Sequence, residues 1–321
     1  MTEATQAKDA GGHAWYGALL ERCVGLPPAP TAVVHPCDAL SICAAVEAAR
    51  LNLIEPILVG PAAKVQAAAS AASVDISGFR LVDTPHSHAA AARAVELVRC
   101  GEATLLMKGA LHTDELMHEV MDEKTGLRTE RRISHVYLMD LPGHDRPLLV
   151  TDAAINIQPS LEDKRDIVQN AIDLAQVMRI DVPKVAILSA VETVNPKLQS
   201  TIDAAALCKM ADRRQIVGGV LDGPLAFDNA ISEEAARDKG IDSAVAGHAD
   251  ILVAPDLVSG NILAKMLTFV AHADAAGVVL GARCPIILTS RADAERTRIA
   301  SCAVAVLMAR QSVLGVKPPA A

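Results

Sequence analysis

The sequence is poor in aromatic side chains: one Trp, two Tyr and three Phe among 321 residues. Trp15, Tyr16, Phe79, Tyr137, Phe227 and Phe269 are scattered, which excludes an aromatic cage and leaves backbone, Arg, Lys and hydroxyl groups to hold any ligand. Basic charge is also short. The formal net charge is −8, from 38 acidic and 30 basic residues, so no cationic face is available for a polyphosphate backbone and nucleic acid is not an expected partner. The seven cysteines contain no Cys-x-x-Cys pair. Their odd number and apolar surroundings read as reduced thiols of a cytoplasmic protein, not as a disulfide framework or zinc ribbon. The sequence opens without a basic-then-apolar leader, and its longest apolar stretches, such as 302–309, fall far short of the ~18 residues a membrane span needs. A soluble protein without membrane partners is expected.

Signatures of catalysis are equally scarce. There is no Gly-x-Ser-x-Gly elbow, no Walker spacing around Lys108-Gly109, and no His-Glu-x-x-His among the ten scattered histidines. These absences argue against a covalent serine nucleophile, nucleotide hydrolysis and a resident metal. Cys284 beside Arg283 comes closest to a reactive thiol, but its apolar surroundings favour burial.

What is present is a pattern of short β-branched runs alternating with longer Ala-rich stretches, the signature of parallel βαβ units with helices on both faces of a sheet. Strands are expected at 32–34, 57–59, 104–107, 136–141, 148–151, 185–188, 216–221, 251–253, 278–280 and 286–288. Ser160 should cap a helix with Asp163 at its third position and Ile167, Ala171, Leu174, Ala175 and Met178 on one face, ending before Pro183. Further helices are expected from near Ile262, behind Gly260-Asn261, and over 293–309. The Pro142-Gly-His-Asp-Arg-Pro147 turn is the best internal boundary, with a second crossing near Cys284-Pro285. This divides the chain into a first α/β domain of 1–148 plus 286–321 and a second of 149–285.

In parallel sheets, ligands sit beyond the carboxyl ends of strands, where helix N-termini also offer free N–H groups. Here those ends are rich in polar groups. Lys108-Gly109 offers a cation beside a residue that lets a ligand approach the backbone, with Thr113 just beyond. Ser290-Arg291 joins a hydroxyl to a guanidinium, a combination suited to phosphate, although a Ser cap followed by a solvated Arg is an equally simple account. Asp152, Asp222, Asp228 and Asp256 are carboxylates at strand ends, where such groups more often cap helices than hold cations.

Six collinear blocks carry a resemblance to a known family. They are Leu106-Met-Lys-Gly109, Gly126-Leu-Arg-Thr-Glu-Arg-Arg-Ile-Ser-His-Val136, Leu149-Val-Thr-Asp-Ala-Ala-Ile-Asn156, Val220-Leu-Asp-Gly-Pro-Leu-Ala-Phe-Asp-Asn-Ala230, Ala246-Gly-His-Ala-Asp-Ile-Leu-Val-Ala-Pro-Asp-Leu-Val-Ser-Gly-Asn261 and Pro285-Ile-Ile-Leu-Thr-Ser-Arg-Ala-Asp293. From about residue 57 to 309 the chain resembles the phosphate acetyltransferase and phosphate butyryltransferase family. The resemblance implies a homodimer of two-domain α/β/α subunits of the isocitrate and isopropylmalate dehydrogenase type, with the active site in the interdomain cleft. It further implies transfer of a short acyl group between coenzyme A and inorganic phosphate, with acyl-CoA and acyl phosphate as substrates and neither metal nor cofactor. By this resemblance Ser290 and Arg291 lie at the reacting phosphate and carbonyl, and Lys108, Gly109, Thr113, Asp256 and Asn261 bind substrate.

Two departures from the acetyl branch stand out. Thr297 occupies the place of an Asp proposed there as the base for the thiol, which makes Asp293 the nearest carboxylate for that task. Lys108-Gly109 replaces a Ser-Gly pair and looks closer to the butyryl branch. The expected reaction is acetyl-CoA plus phosphate giving acetyl phosphate plus coenzyme A. Butyryl transfer and a non-catalytic acyl-CoA-sensing role are the alternatives.

Overall fold

The computed structural model describes residues 14–144, 146–289 and 293–314. The chain forms two compact α/β units, one of residues 16–131 and 276–314, the other of residues 132–275.

The first unit opens with α1 (Ala14–Glu21), β1 (Ala29–Val34), α2 (Ala39–Arg50), β2 (Ile54–Gly60), α3 (Ala62–Ala72), β3 (Arg80–Asp83), α4 (Ser87–Arg99), β4 (Leu105–Lys108) and α5 (Thr113–Met121). The second unit holds β5 (Ser134–Asp140), β6 (Leu148–Thr151), α6 (Leu161–Val177), β7 (Lys184–Leu188), α7 (Gln199–Asp212), β8 (Val220–Leu225), α8 (Phe227–Ile231), α9 (Glu233–Asp238), β9 (Ile251–Val253) and α10 (Leu257–Phe269). The chain then returns to the first unit through β10 (Asp274–Leu280), β11 (Ile286–Ile287) and α11 (Glu295–Leu314).

In the first unit the strands lie in the order β3-β2-β1-β4-β11-β10. The central strands are buried along their length: Ala32, Val33, Val34, Leu105, Leu106 and Met107 are inaccessible to solvent, as both faces of a helix-covered parallel sheet require. Crossovers through α2 and α3 step outward from β1, whereas α4 steps back across β1 to β4, so the direction of winding reverses between β1 and β4.

The second unit orders its strands β5-β6-β9-β7-β8. Met139, Val150, Ala186 and Leu252 build its core with Leu225, Ala264 and Leu267. Its longest helix starts as the sequence predicts: Ser160 Oγ accepts from the Asp163 N–H at 3.2 Å while the Asp163 carboxylate accepts from the Ser160 N–H at 3.0 Å. One turn on, Lys164 of α6 meets Asp203 of α7 at 2.6 Å, each side chain 8% exposed. Gln199 also donates to that carboxylate, at 2.8 Å.

Every expected strand is present in whole or in part, one strand was not expected, and several bounds and directions need correction. β3 has no apolar run to announce it, because this edge strand is mostly exposed and holds on through its backbone pairing with β2. The strand expected at 216–221 is β8, which starts at Val220 and takes in Asp222-Gly223-Pro224. Two neighbouring pairs, β5–β6 and β10–β11, are antiparallel rather than parallel. The chain divides at 131/132 and 275/276, not at 148/149 and 285/286. The Pro142–Pro147 turn links β5 to β6 as a hairpin inside one unit, and Cys284-Pro285 lies in the turn between β10 and β11.

The helix expected from near Ile262 also starts earlier, at Leu257. Gly260 misleads because it lies inside α10, where a Cβ would collide with the Asp152 carbonyl oxygen. Close approach of the helix to the end of β6 outweighs the ~0.5–1 kcal/mol that a helical glycine costs. The last helix begins at Glu295, two residues after the expected start.

Candidate functional site

The winding reverses between β1 and β4, and open α/β sheets hold ligands in the crevice beyond the carboxyl ends of strands at such a point. His35 ends β1 with φ +53°, and its carbonyl accepts from the Ala110 N–H at 2.9 Å. Gly109 donates to the Val34 carbonyl at 2.9 Å. A Cβ at Gly109 would collide with the Val34 and His35 carbonyl oxygens, so only glycine keeps the chain laddered to β1 past the end of β4. Lys108, the last residue of β4, is only 7% exposed, and its Nζ reaches the Gly109 carbonyl at 3.5 Å. Thr113 follows as the half-buried first residue of α5.

β11 pairs in parallel with β4, Ile286 opposite Leu106 and Ile287 opposite Met107. Thr289 lies two residues beyond the end of β11 and is buried. Ser290 and Arg291, the expected catalytic pair, lie outside the described residues. Asp293, the expected base, is half-buried just ahead of α11, while Thr297 is buried within that helix. Thus Lys108, Gly109, Thr113 and Asp293 belong to one unit.

Asp256 and Asn261 belong to the other, the first as the cap of α10 and the second within that helix. Asp256 caps that helix, accepting from the Ser259 N–H at 2.9 Å and the Ser259 hydroxyl at 3.0 Å. Asn261 Nδ2 donates to the Ala153 carbonyl at 3.1 Å and ties the helix to the segment after β6. Both therefore have structural partners.

That segment holds a polar network absent from the expected site. The buried Asp152 carboxylate accepts the N–H groups of Ala154, Ile155 and Asn156 at 2.8–3.3 Å and Asn156 Nδ2 at 2.6 Å. Asn156 Oδ1 in turn accepts from Arg132 Nε at 2.7 Å. Carboxylate, amide and guanidinium together fix the loop at the carboxyl end of β6. The only sequence signal was an acid followed by two small residues at a strand end; the 24-residue reach to Arg132 has no local signature.

His135, on β5 next to this network, is inaccessible to solvent, and neither ring nitrogen has a hydrogen-bonding partner. Burial holds its imidazole neutral well below the ordinary range, opposed by the Asp152 charge. The unfolded chain therefore binds this proton more readily than the folded one. Stability contributed by keeping the ring neutral is present above about pH 6.5 and lost as pH falls towards the lowered folded pKa. In chemical denaturation, His135→Gln is expected to flatten the decline in stability below about pH 6.5; an unchanged pH profile would count against it.

Three of the thiols are poor nucleophiles. Burial pushes the Cys208, Cys284 and Cys302 thiols up to about 12, so none supplies a thiolate at neutral pH. Among the described residues no group of three or more His, Cys, Asp or Glu side chains is arranged to hold a metal ion, and no helix is long and apolar enough to cross a membrane.

A family model for phosphate acetyl/butaryl transferase matches residues 86–306. Phosphate acetyltransferase of Rhizobium meliloti is 65% identical over 294 residues, covering 92% of this chain and 93% of that protein. The crystal structure of a branched-chain phosphotransacylase from Enterococcus faecalis V583 is 30% identical with a TM-score of 0.75, covering 87% of this chain and 99% of the other. The structure of a putative 4-hydroxythreonine-4-phosphate dehydrogenase from Salmonella typhimurium, 12% identical with a TM-score of 0.55, covers 88% of this chain and 99% of its own and shares the fold alone. The dehydrogenase-like α/β architecture expected from the sequence is thereby established. The matched segment takes in β4, β6, β9 and β11, whose ends carry the polar groups described above, and the chain belongs to the phosphate acetyl/butyryl transferase family.

Proposed function

We propose that this protein transfers an acetyl group between coenzyme A and inorganic phosphate, as a metal-free and cofactor-free enzyme. The observation that carries this reading is Lys108, a nearly buried cation at the β1–β4 crevice of a protein with net charge −8. A fixed ammonium beside a glycine backbone suits an anionic oxygen of phosphate or acyl phosphate. In the forming direction, a phosphate oxygen attacks the thioester carbon, the C–S bond breaks, and the coenzyme A sulfur leaves with the electron pair. In the reverse direction the thiol proton passes to a base as sulfur attacks the acyl carbon, the C–O bond to phosphate breaks, and phosphate leaves with the electron pair. Asp293 takes that role in this reading, with Ser290 and Arg291 holding the phosphoryl and carbonyl oxygens. The protein's work is positioning and charge stabilisation.

Release of free coenzyme A from acetyl-CoA should require phosphate and survive EDTA. Reversible loss on chelation would overturn the metal-free reading, and binding of acyl-CoA without turnover would favour a sensor. Bulkier acyl groups are the second reading, favoured by the butyryl-like Lys108-Gly109 pair. The ratio of kcat/KM for acetyl-CoA to that for butyryl-CoA decides it, since each methylene in an apolar pocket is worth ~1–3 kcal/mol. Lys108→Ala is expected to raise KM for phosphate or acyl phosphate more than KM for coenzyme A. Equal changes in both would return Lys108 to a purely structural role.

A homodimer in the cytoplasm completes the reading. Free cysteines support a reducing compartment. Self-association is supported by α10, whose Val258, Ile262, Met266 and Phe269 are each more than half exposed at helical spacing. Beside them a hollow of about 630 Å³ is lined by Ala190, Phe227, Pro255, Leu263 and Val270. This helix carries no carboxylate, and its stripe can pack against its own copy about a two-fold axis. Sedimentation equilibrium should give twice the chain mass for the parent and the chain mass for Met266→Glu. A monomeric parent would dismiss the dimer.

A further inference from the structure

Arg298 is on α11 yet only 5% exposed, an unusual place for a guanidinium. Its Nη1 donates to the hydroxyl of Thr289 at 3.1 Å, and Thr289 is itself 5% exposed. The contact ties Thr289, two residues beyond β11, to the first turns of α11. It therefore fixes both flanks of the short link in which the sequence places Ser290 and Arg291. The same guanidinium sets a permanent positive charge one strand away from Lys108, since β11 and β4 are paired neighbours. Burying a guanidinium costs several kcal/mol unless its partners are well placed. An apolar residue would join helix and strand without that desolvation, so the arginine is kept for its hydrogen bonds and charge, the bond to Thr289 among them.

We propose that Arg298 is a positioning residue for acyl transfer, acting through its hydrogen bond to Thr289 to hold the end of β11 in register with the crevice beside Lys108. The proposal rests on the acyltransferase reading and on Ser290-Arg291 as the reacting pair. A clamp of this kind contributes to turnover and little to ground-state binding, because a displacement of about 1 Å at the reacting atoms costs ~10²-fold in rate.

The test is steady-state kinetics on the full-length protein with Arg298→Met, Arg298→Lys, Thr289→Val and Thr289→Ser. Arg298→Met and Thr289→Val are each expected to lower kcat by ~10–100-fold, with KM for acetyl-CoA and for phosphate within about threefold of the parent. Arg298→Lys should recover part of the loss, and Thr289→Ser, which keeps the hydroxyl, most of it. The Arg298→Met/Thr289→Val double variant should lose less than the product of the two single losses, since the two substitutions share this bond. If Arg298→Met does not fold, Thr289→Val carries the test, because it removes only the hydroxyl. A folded Thr289→Val with parental kcat, whatever its Tm, overturns the proposal. So does a rise in KM with kcat intact. Arg291→Lys separates this failure from failure of the underlying reading: parental turnover there removes Ser290-Arg291 from the chemistry, whereas an inactive Arg291→Lys beside a fully active Thr289→Val rejects only the clamp.

Discussion

Arg291→Lys is expected to fold as the parent does and to lose ~10²–10³ in kcat, the usual consequence of removing one preorganised donor from a centre where charge develops. The substitution keeps the positive charge, so electrostatic steering of the anionic substrates is preserved. What it removes is the planar fork. A guanidinium can donate two parallel hydrogen bonds to phosphoryl and carbonyl oxygens and hold them in one geometry, whereas an ammonium is a mobile point charge. The loss should therefore fall on kcat more than on KM. Circular dichroism and Tm should match the parent. A folded Arg291→Lys enzyme with kcat within a few-fold of the parent would return this residue to the role of a solvated cation at a helix start.

The largest expected loss of stability comes from Lys164→Met. Lys164 and Asp203 meet at 2.6 Å between α6 and α7, both nearly buried, and the remaining Asp203 oxygen is satisfied by Gln199. Removing the ammonium leaves a carboxylate out of water with one amide donor. Breaking a buried pair in this way costs about 3–5 kcal/mol, most of it the penalty of the stranded charge. In a protein of this size that lowers Tm by roughly 4–8 °C. Replacing both partners, Lys164→Met with Asp203→Leu, should recover most of the loss, since similar apolar volume without charge is often neutral in a core. A single variant within about 1 kcal/mol of the parent in chemical denaturation would show that water reaches the pair.

How far the sequence could be read depended on whether a feature is local. β1, β4 and β9 are short apolar runs that end in polar residues, and they are visible in any window of ten residues. β3 is invisible there because Arg80, Leu81 and Asp83 are exposed and its pairing partner lies some twenty residues earlier. The Pro142–Pro147 turn carries the same residues whether it joins domains or closes a hairpin, and only the pairing of Val136 with Thr151 decides between them. The site followed the same rule. Lys108 and Gly109 were legible as a cation and a glycine after a strand. Asp256 was legible as the kind of strand-end carboxylate that caps a helix, whereas the tie from Asn261 to Ala153 was not legible. Arg132–Asn156 and Arg298–Thr289 join different elements, and no spacing rule predicts either.

The split path of the chain also bears on its biosynthesis. Residues 132–275 form an uninterrupted run and can mature as soon as they leave the ribosome, whereas the unit begun by residues 16–131 waits for 276–314. Until then β4 has β1 on one side and nothing on the other, because β11 is its only other neighbour. Leu105, Leu106 and Met107, wholly buried in the finished protein, then border an open strand edge for as long as some 180 further residues take to be made, roughly 10–40 s at ~5–20 residues per second. Such an edge can pair with a neighbouring nascent chain. Translation speed through the second unit, and any chaperone covering the first, therefore sets the yield of native protein as much as its final stability does.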